Sequence, residues 1–369
     1  MTNQNFDEQS FYQDYWRKKP CVIRNMFPEM PIKLEGEDLA GLALEAEAQS
    51  RLIFGADSET PFKVKDGPFS QKDFQELPCQ GYSLMVQAVE RFIPELGLLK
   101  APFQKIARWR FDDIMVSFSN EGGGVGPHYD NYDVFLIQGK GRRRWRFHSQ
   151  PVANRTHIDG IDILVLSDPQ LDSEIEVGEG DVLYIPPGFA HEGTSLEPAI
   201  TYSVGFRAPD YKDVLEGLKA SINRTDPWLY SGEDRPASPN QICPEMLENI
   251  KGELLAYLDT PHLLEKIVGS LVTEPRAPLP WETSKTDVSQ LKKDLRDGPL
   301  IKAPGLRWVL GENSIYIEGQ PFGITNQDKA TIEGFFHKPM INLADFSQLP
   351  DNLQSLLSQW VTLGFFWLD

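Results

Sequence analysis

A mainly β fold with added α elements is what the sequence predicts: a jelly-roll barrel of the double-stranded β-helix kind, then a helical unit, then a winged-helix-like C-terminal unit. Three observations lead there. Between residues 114 and 206, short runs of β-forming residues alternate with Gly, Pro and Asp, the texture of a sandwich or barrel. Beyond Pro209 the apolar residues recur at helical spacing. Glu274-Pro275-Arg276-Ala277-Pro278-Leu279-Pro280 then reads as a linker, after which helix and strand patterns mix. The expected boundaries are 1–208 for the barrel domain, with its core at 112–206, then 209–273 for the helical unit and 281–369 for the last. A chain of 369 residues is long enough for two or three such cores.

Taken in order, residues 1–100 mix short helical patterns, expected at 39–47, 71–76 and 83–92, with a strand at 20–24. Barrel strands are expected at 114–118, 132–138, 142–147, 163–166, 175–177, 182–185 and 199–206. In the helical unit, 211–222 places Val214, Leu215 and Leu218 on one stripe. Residues 244–271 place Met246, Leu247, Ile250, Leu254, Leu255 and Leu258 on another, continuing through Leu263, Leu264, Ile267 and Leu271, with a loop at 234–240 between the two. Such faces suit a dimer contact or packing against the barrel. The last unit reads as a helix at 288–296, strands at 306–310 and 314–318, and helices at 326–336 and 353–363. Its acidic residues outnumber its basic ones, which favours protein contact over DNA reading.

Composition narrows the class. A formal charge of −18 argues against a general nucleic-acid grip and suits a basic partner. Three widely spaced cysteines, Cys21, Cys79 and Cys243, fit a reducing cytoplasm better than a disulfide scaffold. The N-terminus lacks a basic start and an apolar run, and no stretch approaches eighteen apolar residues, so neither export nor membrane insertion is expected.

The chemistry is concentrated between residues 126 and 191. Gly126-Pro127-His128-Tyr129-Asp130 carries an H-x-D pair, and Gly180-Asp181-Val182-Leu183-Tyr184-Ile185-Pro186-Pro187-Gly188-Phe189-Ala190-His191 delivers a lone His from a later strand. In an extended strand residues two apart share a face, so His128 and Asp130 can reach one ion, with His191 arriving from across. Two imidazoles and one carboxylate leave about half the coordination sphere open, the facial triad of non-haem Fe(II) oxygenases. H-x-D is common by chance; the Gly-rich lead-in and the rigid Pro-Pro-Gly turn before His191 give this one its weight. His148, His157, His262 and His337 read as structural or surface residues, and Gly122 to Gly126 match neither a dinucleotide fingerprint nor a P-loop.

The run Arg142-Arg143-Arg144-Trp145-Arg146-Phe147 divides by strand alternation. Arg143, Trp145 and Phe147 share one face, while Arg142, Arg144 and Arg146 share the other, as a solvated or phosphate-facing stripe. If the aromatic face points inward, Arg143 is a lone buried cation that needs an anion, and a bound carboxylate would serve. Ser117, opposite in parity to Ile114, Val116 and Phe118, could donate to the same carboxylate if it too faces inward.

These stretches, with Lys19-Pro20-Cys21-Val22-Ile23-Arg24 upstream, resemble the JmjC family of Fe(II) and 2-oxoglutarate oxygenases, and within it the bacterial ribosomal oxygenases. The resemblance implies Fe(II) on His128, Asp130 and His191, the distal carboxylate of 2-oxoglutarate on Arg143 and Ser117, and molecular oxygen as second co-substrate. It further implies 3-hydroxylation of an arginine of the sixteenth large-subunit ribosomal protein, a basic substrate; the apolar helical faces lead to the expectation of a homodimer, and the composition to that of a cytoplasmic protein. Three alternatives remain open: a JmjC enzyme for histidine hydroxylation or lysine demethylation, a cupin metal enzyme without 2-oxoglutarate, or a docking module on an inactive barrel. An intact triad speaks against the last.

Overall fold

The computed structural model describes residues 6–55, 62–222, 238, 240–275, 285–338 and 340–368. Packing groups the chain in two: Met1–Ala208 with Pro275–Leu306 and Lys338–Asp369, and Pro209–Glu274 with Arg307–His337.

The first unit holds the barrel. Its strands are β1 (Cys21–Ile23), β2 (Ser50–Phe54), β3 (Val64–Asp66), β4 (Tyr82–Val86), β5 (Phe111–Ser119), β6 (Asp133–Lys140), β7 (Arg143–Pro151), β8 (Ser173–Val177), β9 (Val182–Ile185), β10 (Phe189–Ser195) and β11 (Ala199–Phe206). An eight-stranded antiparallel sheet in the order β1-β9-β6-β11-β5-β4-β2-β3 faces a three-stranded one, β10-β7-β8. Non-consecutive neighbours in the large sheet are the crossovers of a jelly roll.

Alternation along β6 explains the layers. Phe135 and Ile137 point outward to the main core, where Phe11 of helix α1 (Glu8–Asp14) and Leu39 of α2 (Gly36–Leu42) cover them. Val134 and Leu136 point inward and meet Trp145, Val177 and Phe189 of the small sheet. Both faces are covered, so β6 reads as a nearly continuous apolar run. Along β5 and β11 the inward parity is polar: Ser117, Ser119, Thr201 and Ser203 are all buried. The barrel interior therefore has an apolar wall, from β6 and the small sheet, and a more hydrophilic one, from β5 and β11.

Several expectations need correction. Residues 83–92 form no α-helix: Tyr82–Val86 is strand β4, inserted between β2 and β5, followed by a short 3-10 turn at Val89–Arg91. Leu84 and Val86 pack into the core from a sheet, so tertiary pairing overrides the helix propensity of Leu and Met. Residues 163–166 form no strand; Leu166 makes only an isolated bridge to His157. The helix expected at 39–47 ends at Leu42, and β2 and β3 were not anticipated. Helix α3 (Gln71–Gln75) stands as predicted.

C-terminal to the barrel come α4 (Tyr211–Ser221), α5 (Pro244–Leu258), α6 (Leu263–Thr273), α7 (Val288–Asp294), β12 (Leu300–Lys302), β13 (Trp308–Leu310), β14 (Ser314–Ile317), β15 (Gln320–Gly323), α8 (Asp328–His337), β16 (Met340–Ile341), α9 (Leu343–Ser347), α10 (Asp351–Thr362) and β17 (Phe366–Leu368). The stripe expected to run through 244–271 is broken between α5 and α6, where Pro261 lies in the turn and His262 takes a left-handed conformation. In the second unit α6 packs on the β13-β14-β15 sheet. Strands β16, β12 and β17 form a separate sheet in the first unit. Most of the expected 234–240 loop and 274–280 linker lies outside the described residues.

Candidate metal and co-substrate site

The triad is assembled by one backbone bridge. His128 N–H donates to His191 O at 3.0 Å and His191 N–H to His128 O at 2.8 Å, which sets the two imidazoles 4.3 Å apart, centre to centre. His128 makes this contact from an isolated bridge rather than from a regular strand. Gly188 N–H holds the carbonyl of Asp130 at 2.7 Å, so the Pro-Pro-Gly turn positions the third residue. One ligand atom from each of His128, Asp130 and His191 lies within 4.8 Å of the others.

The rings are oriented for ligation. His128 Nδ1 donates to Gly126 O at 2.9 Å and His191 Nδ1 to Phe189 O at 3.0 Å. Each bond selects the tautomer whose Nε2 lone pair is free, and His191 Nε2 stands 3.7 Å from Asp130 Oδ2. Burial, then the His128 neighbour, pushes the His191 imidazole down to about 4, so it is neutral near neutral pH, the form a divalent metal requires. Two imidazoles and one carboxylate are the donor set that Fe(II) takes in a facial triad.

Arg143 lies on the same wall. It is 4% exposed and faces inward with Trp145, whose ring lies 4.9 Å from the guanidinium. Arg143 Nη1 donates to Thr201 Oγ1 at 3.3 Å and Nη2 to Gly193 O at 3.2 Å, while Nε–H has no partner. Among the described residues no carboxylate pairs with it, and burial lowers its pKa to about 10. A desolvated guanidinium with unused donors fits an incoming carboxylate. Ser117 also faces inward; its hydroxyl makes only a long 3.5 Å bond to Thr201 O and can turn toward such a ligand. Gly193 is required here, because a Cβ would stand 2.7 Å from both Arg143 Nε and the Trp145 ring.

The outer arginines are engaged elsewhere. Arg142 pairs with Glu197 at 3.2 Å, Arg144 with Glu176 at 3.1 Å and Glu174 at 3.5 Å, and Arg146 with Glu192. The stripe is a laced ion-pair face of the small sheet, not a phosphate surface. The Gly-rich loop is tied to its own chain: Gly122 N–H donates to Ser195 O and Ser195 N–H to Gly123 O, both at 2.9 Å, which joins it to β10. His148 pairs with Asp172 at 2.9 Å. In the second unit His262 Nδ1 lies 3.6 Å from Glu312 and 3.9 Å from Glu265, with Asn313 Nδ2 3.4 Å from its Nε2.

Sequence reasoning overlooked Gln138, Thr201 and Gly193. A signal for two of them was present: Gln138 interrupts the apolar run of β6, and Thr201 has the inward parity of β11.

The JmjC domain model matches residues 98–214. The chain is 35% identical over 319 residues to ribosomal protein uL16 3-hydroxylase of Escherichia coli K12, covering 84% of each. It is also 35% identical over 302 residues to a probable ribosomal oxygenase of Haemophilus influenzae, covering 78% of this chain and 74% of the other. The fold superposes on YcfD, a ribosomal oxygenase from E. coli solved with cobalt and 2-oxoglutarate, with a TM-score of 0.85 and 29% identity across the whole of both chains. A relative so similar over so much of both lengths, with the domain model centred on the barrel, places the chain in the JmjC family of ribosomal oxygenases.

Proposed function

We propose that the protein hydroxylates one arginine side chain of ribosomal protein uL16 at its 3-position, using Fe(II) on His128, Asp130 and His191 and 2-oxoglutarate anchored by Arg143 and Ser117. The observation that carries the reading is Arg143: a buried guanidinium that no carboxylate among the described residues pairs with, on the sheet that also bears His191. A cupin enzyme that does not use 2-oxoglutarate has no need of it. The name of the E. coli relative supplies the substrate class, and the charge of −18 suits a basic ribosomal protein.

Fe(II) with 2-oxoglutarate and O₂ supplies oxidising power, with succinate and carbon dioxide as the co-products. The chain's own residues do the rest. The carbonyls of Gly126 and Phe189 hold the two imidazoles so that Nε2 of each faces the ion position. Arg143 fixes the distal end of the co-substrate, and the Trp145, Val134, Leu136 and Phe189 layer excludes water from the wall beside it.

For the rest of the chain, residues 1–208 are assigned the chemistry, 209–273 a homodimer contact and the winged-helix-like 281–369 the docking of substrate, all in the cytoplasm. The dimer contact is supported by apolar side chains left open on α4 and α5, Leu215 at 64%, Leu247 at 55% and Leu254 at 52% exposure. Among the described residues no helix is long and apolar enough to cross a membrane. The test is turnover: succinate formation from 2-oxoglutarate should rise when purified uL16 is added and stay at its basal rate with an unrelated basic protein. Equal stimulation by both would remove the substrate assignment.

A further inference from the structure

We infer that Gln138 and Thr201 are positioning residues for the co-substrate, forming a hydrogen-bond chain that locks the Arg143 guanidinium and leaves Ser117, not Thr201, as the hydroxyl donor to the carboxylate. The inference rests on the reading of Arg143 as the 2-oxoglutarate anchor.

Gln138 is fully buried on the inward face of β6, where an amide is costly unless every polar atom is used. All of them are. The β6–β11 ladder slips between Ile200, opposite Lys140, and Thr201, opposite Gln138, so Gly139 has no partner. At the slip, Gln138 Nε2 donates to Lys140 O at 2.8 Å and to Ile200 O at 3.3 Å. Two carbonyl acceptors consume both amide protons, so the orientation of the amide is not ambiguous: Oε1 must face Thr201 as an acceptor. Thr201 Oγ1, 3.2 Å away, gives its single proton to Oε1. Only lone pairs of that hydroxyl then remain for Arg143 Nη1, which donates to it at 3.3 Å.

The chain thus runs from a backbone slip in the large sheet, through Gln138 and Thr201, to the guanidinium, whose other terminal nitrogen is held by Gly193 of the small sheet. Arg143 has five N–H donors, and this chain and Gly193 use two of them. Pinning both ends in two different strands fixes the plane in which the remaining donors meet a ligand. Thr201, its proton committed, cannot donate to a carboxylate. Ser117, opposite Thr201 in the β5–β11 register and weakly bonded, can.

The experiment is calorimetric titration of 2-oxoglutarate into the full-length protein loaded with Mn(II) without oxygen, paired with steady-state kinetics on iron. Gln138→Met and Thr201→Val should each weaken 2-oxoglutarate binding about tenfold, while kcat at saturating co-substrate and Mn(II) occupancy stay within about twofold. Thr201→Ser, which keeps the hydroxyl, should bind like the parent. The double variant Gln138→Met/Thr201→Val should bind no more weakly than the worse single one, because both cut the same chain. A merely structural role would lower the melting temperature and leave the affinity of the folded protein unchanged. Should Gln138→Met fail to fold, the contrast between Thr201→Val and Thr201→Ser carries the test alone. Parent-like affinity in Thr201→Val and Gln138→Met, with binding lost in Arg143→Met, overturns the positioning chain and leaves the anchor standing. Parent-like affinity in Arg143→Met overturns both.

Discussion

Replacing Arg143 by Met should make the protein without co-substrate more stable and abolish its response to 2-oxoglutarate. Burial lowers the guanidinium from its ordinary 12.5 to about 10. That difference, 12.5 − 10 = 2.5, at about 1.36 kcal/mol each, puts the cost of keeping the cation inside the barrel at roughly 3 kcal/mol. A base depressed in the folded state is protonated in both states below about 10, so the whole penalty applies at neutral pH and fades only as the pH rises through that value. Met fills a similar volume without the charge. Loss of the two bonds, to Thr201 and Gly193, costs back about 2 kcal/mol, for a net gain of ~1 kcal/mol and a melting temperature higher by ~3 °C. In the parent, 2-oxoglutarate at 100 times its Kd adds about 2.7 kcal/mol of stability, and in the variant it should add none. Differential scanning calorimetry of the Mn(II)-loaded protein, with and without 2-oxoglutarate, measures both effects. A variant that melts below the parent without ligand, or that keeps the ligand-induced rise, refutes the reasoning. Arg142→Ala is the control: its side chain is 58% exposed and pairs with Glu197 at the surface, so it should cost ~0–1 kcal/mol and keep the response.

Removing any one triad side chain by His128→Ala, Asp130→Ala or His191→Ala should lower Fe(II) occupancy sharply and stop turnover while circular dichroism shows an intact fold; full occupancy in all three would dismiss the site. On α5, Leu247→Glu and Leu254→Glu should convert a dimer to a monomer in analytical ultracentrifugation, and a parent that already sediments as a monomer rules the contact out. Glu90, buried beside Asp113, is raised to about 7 by burial and then by that neighbour, while its Oε2 accepts from Ile114 N–H at 2.9 Å. Its folded value lies above the ordinary 4.5, so the stability it contributes is complete below that value and is lost as the pH rises through about 7. Glu90→Gln keeps the acceptor without the charge, and should gain on the parent by up to about 3 kcal/mol in urea melts between pH 5 and 8; an unchanged difference across that range would discard this explanation.

What was legible in the sequence follows from how locally each feature is determined. The barrel strands β5, β6, β9 and β11 announce themselves because both their faces or their turns are chemically marked: Val182–Ile185 between Gly180 and Pro186, for example. The inward turn of Arg143 is also legible, since alternation ties it to Trp145. By contrast, Tyr82–Val86 sends mixed local signals, with helix-forming Leu84 and Met85 between strand-favouring Tyr82 and Val86, and its place between β2 and β5 decides for a strand. The Gln138–Thr201 chain was invisible for a related reason: it depends on a one-residue slip between strands sixty-odd positions apart in the chain, which no local pattern encodes. The Gly-rich loop matches no nucleotide motif, and its hydrogen bonds to Ser195 of strand β10, distant in sequence, could not be read locally.

The central claim, that this barrel inserts one oxygen into an arginine of uL16, is tested most directly by mass spectrometry of uL16 after incubation with the protein, Fe(II), 2-oxoglutarate and O₂. The account predicts a gain of one oxygen atom, located by fragmentation to a single arginine, absent with His191→Ala and absent without 2-oxoglutarate. An unmodified uL16 after full consumption of 2-oxoglutarate, or an added oxygen on a residue other than arginine, would contradict it.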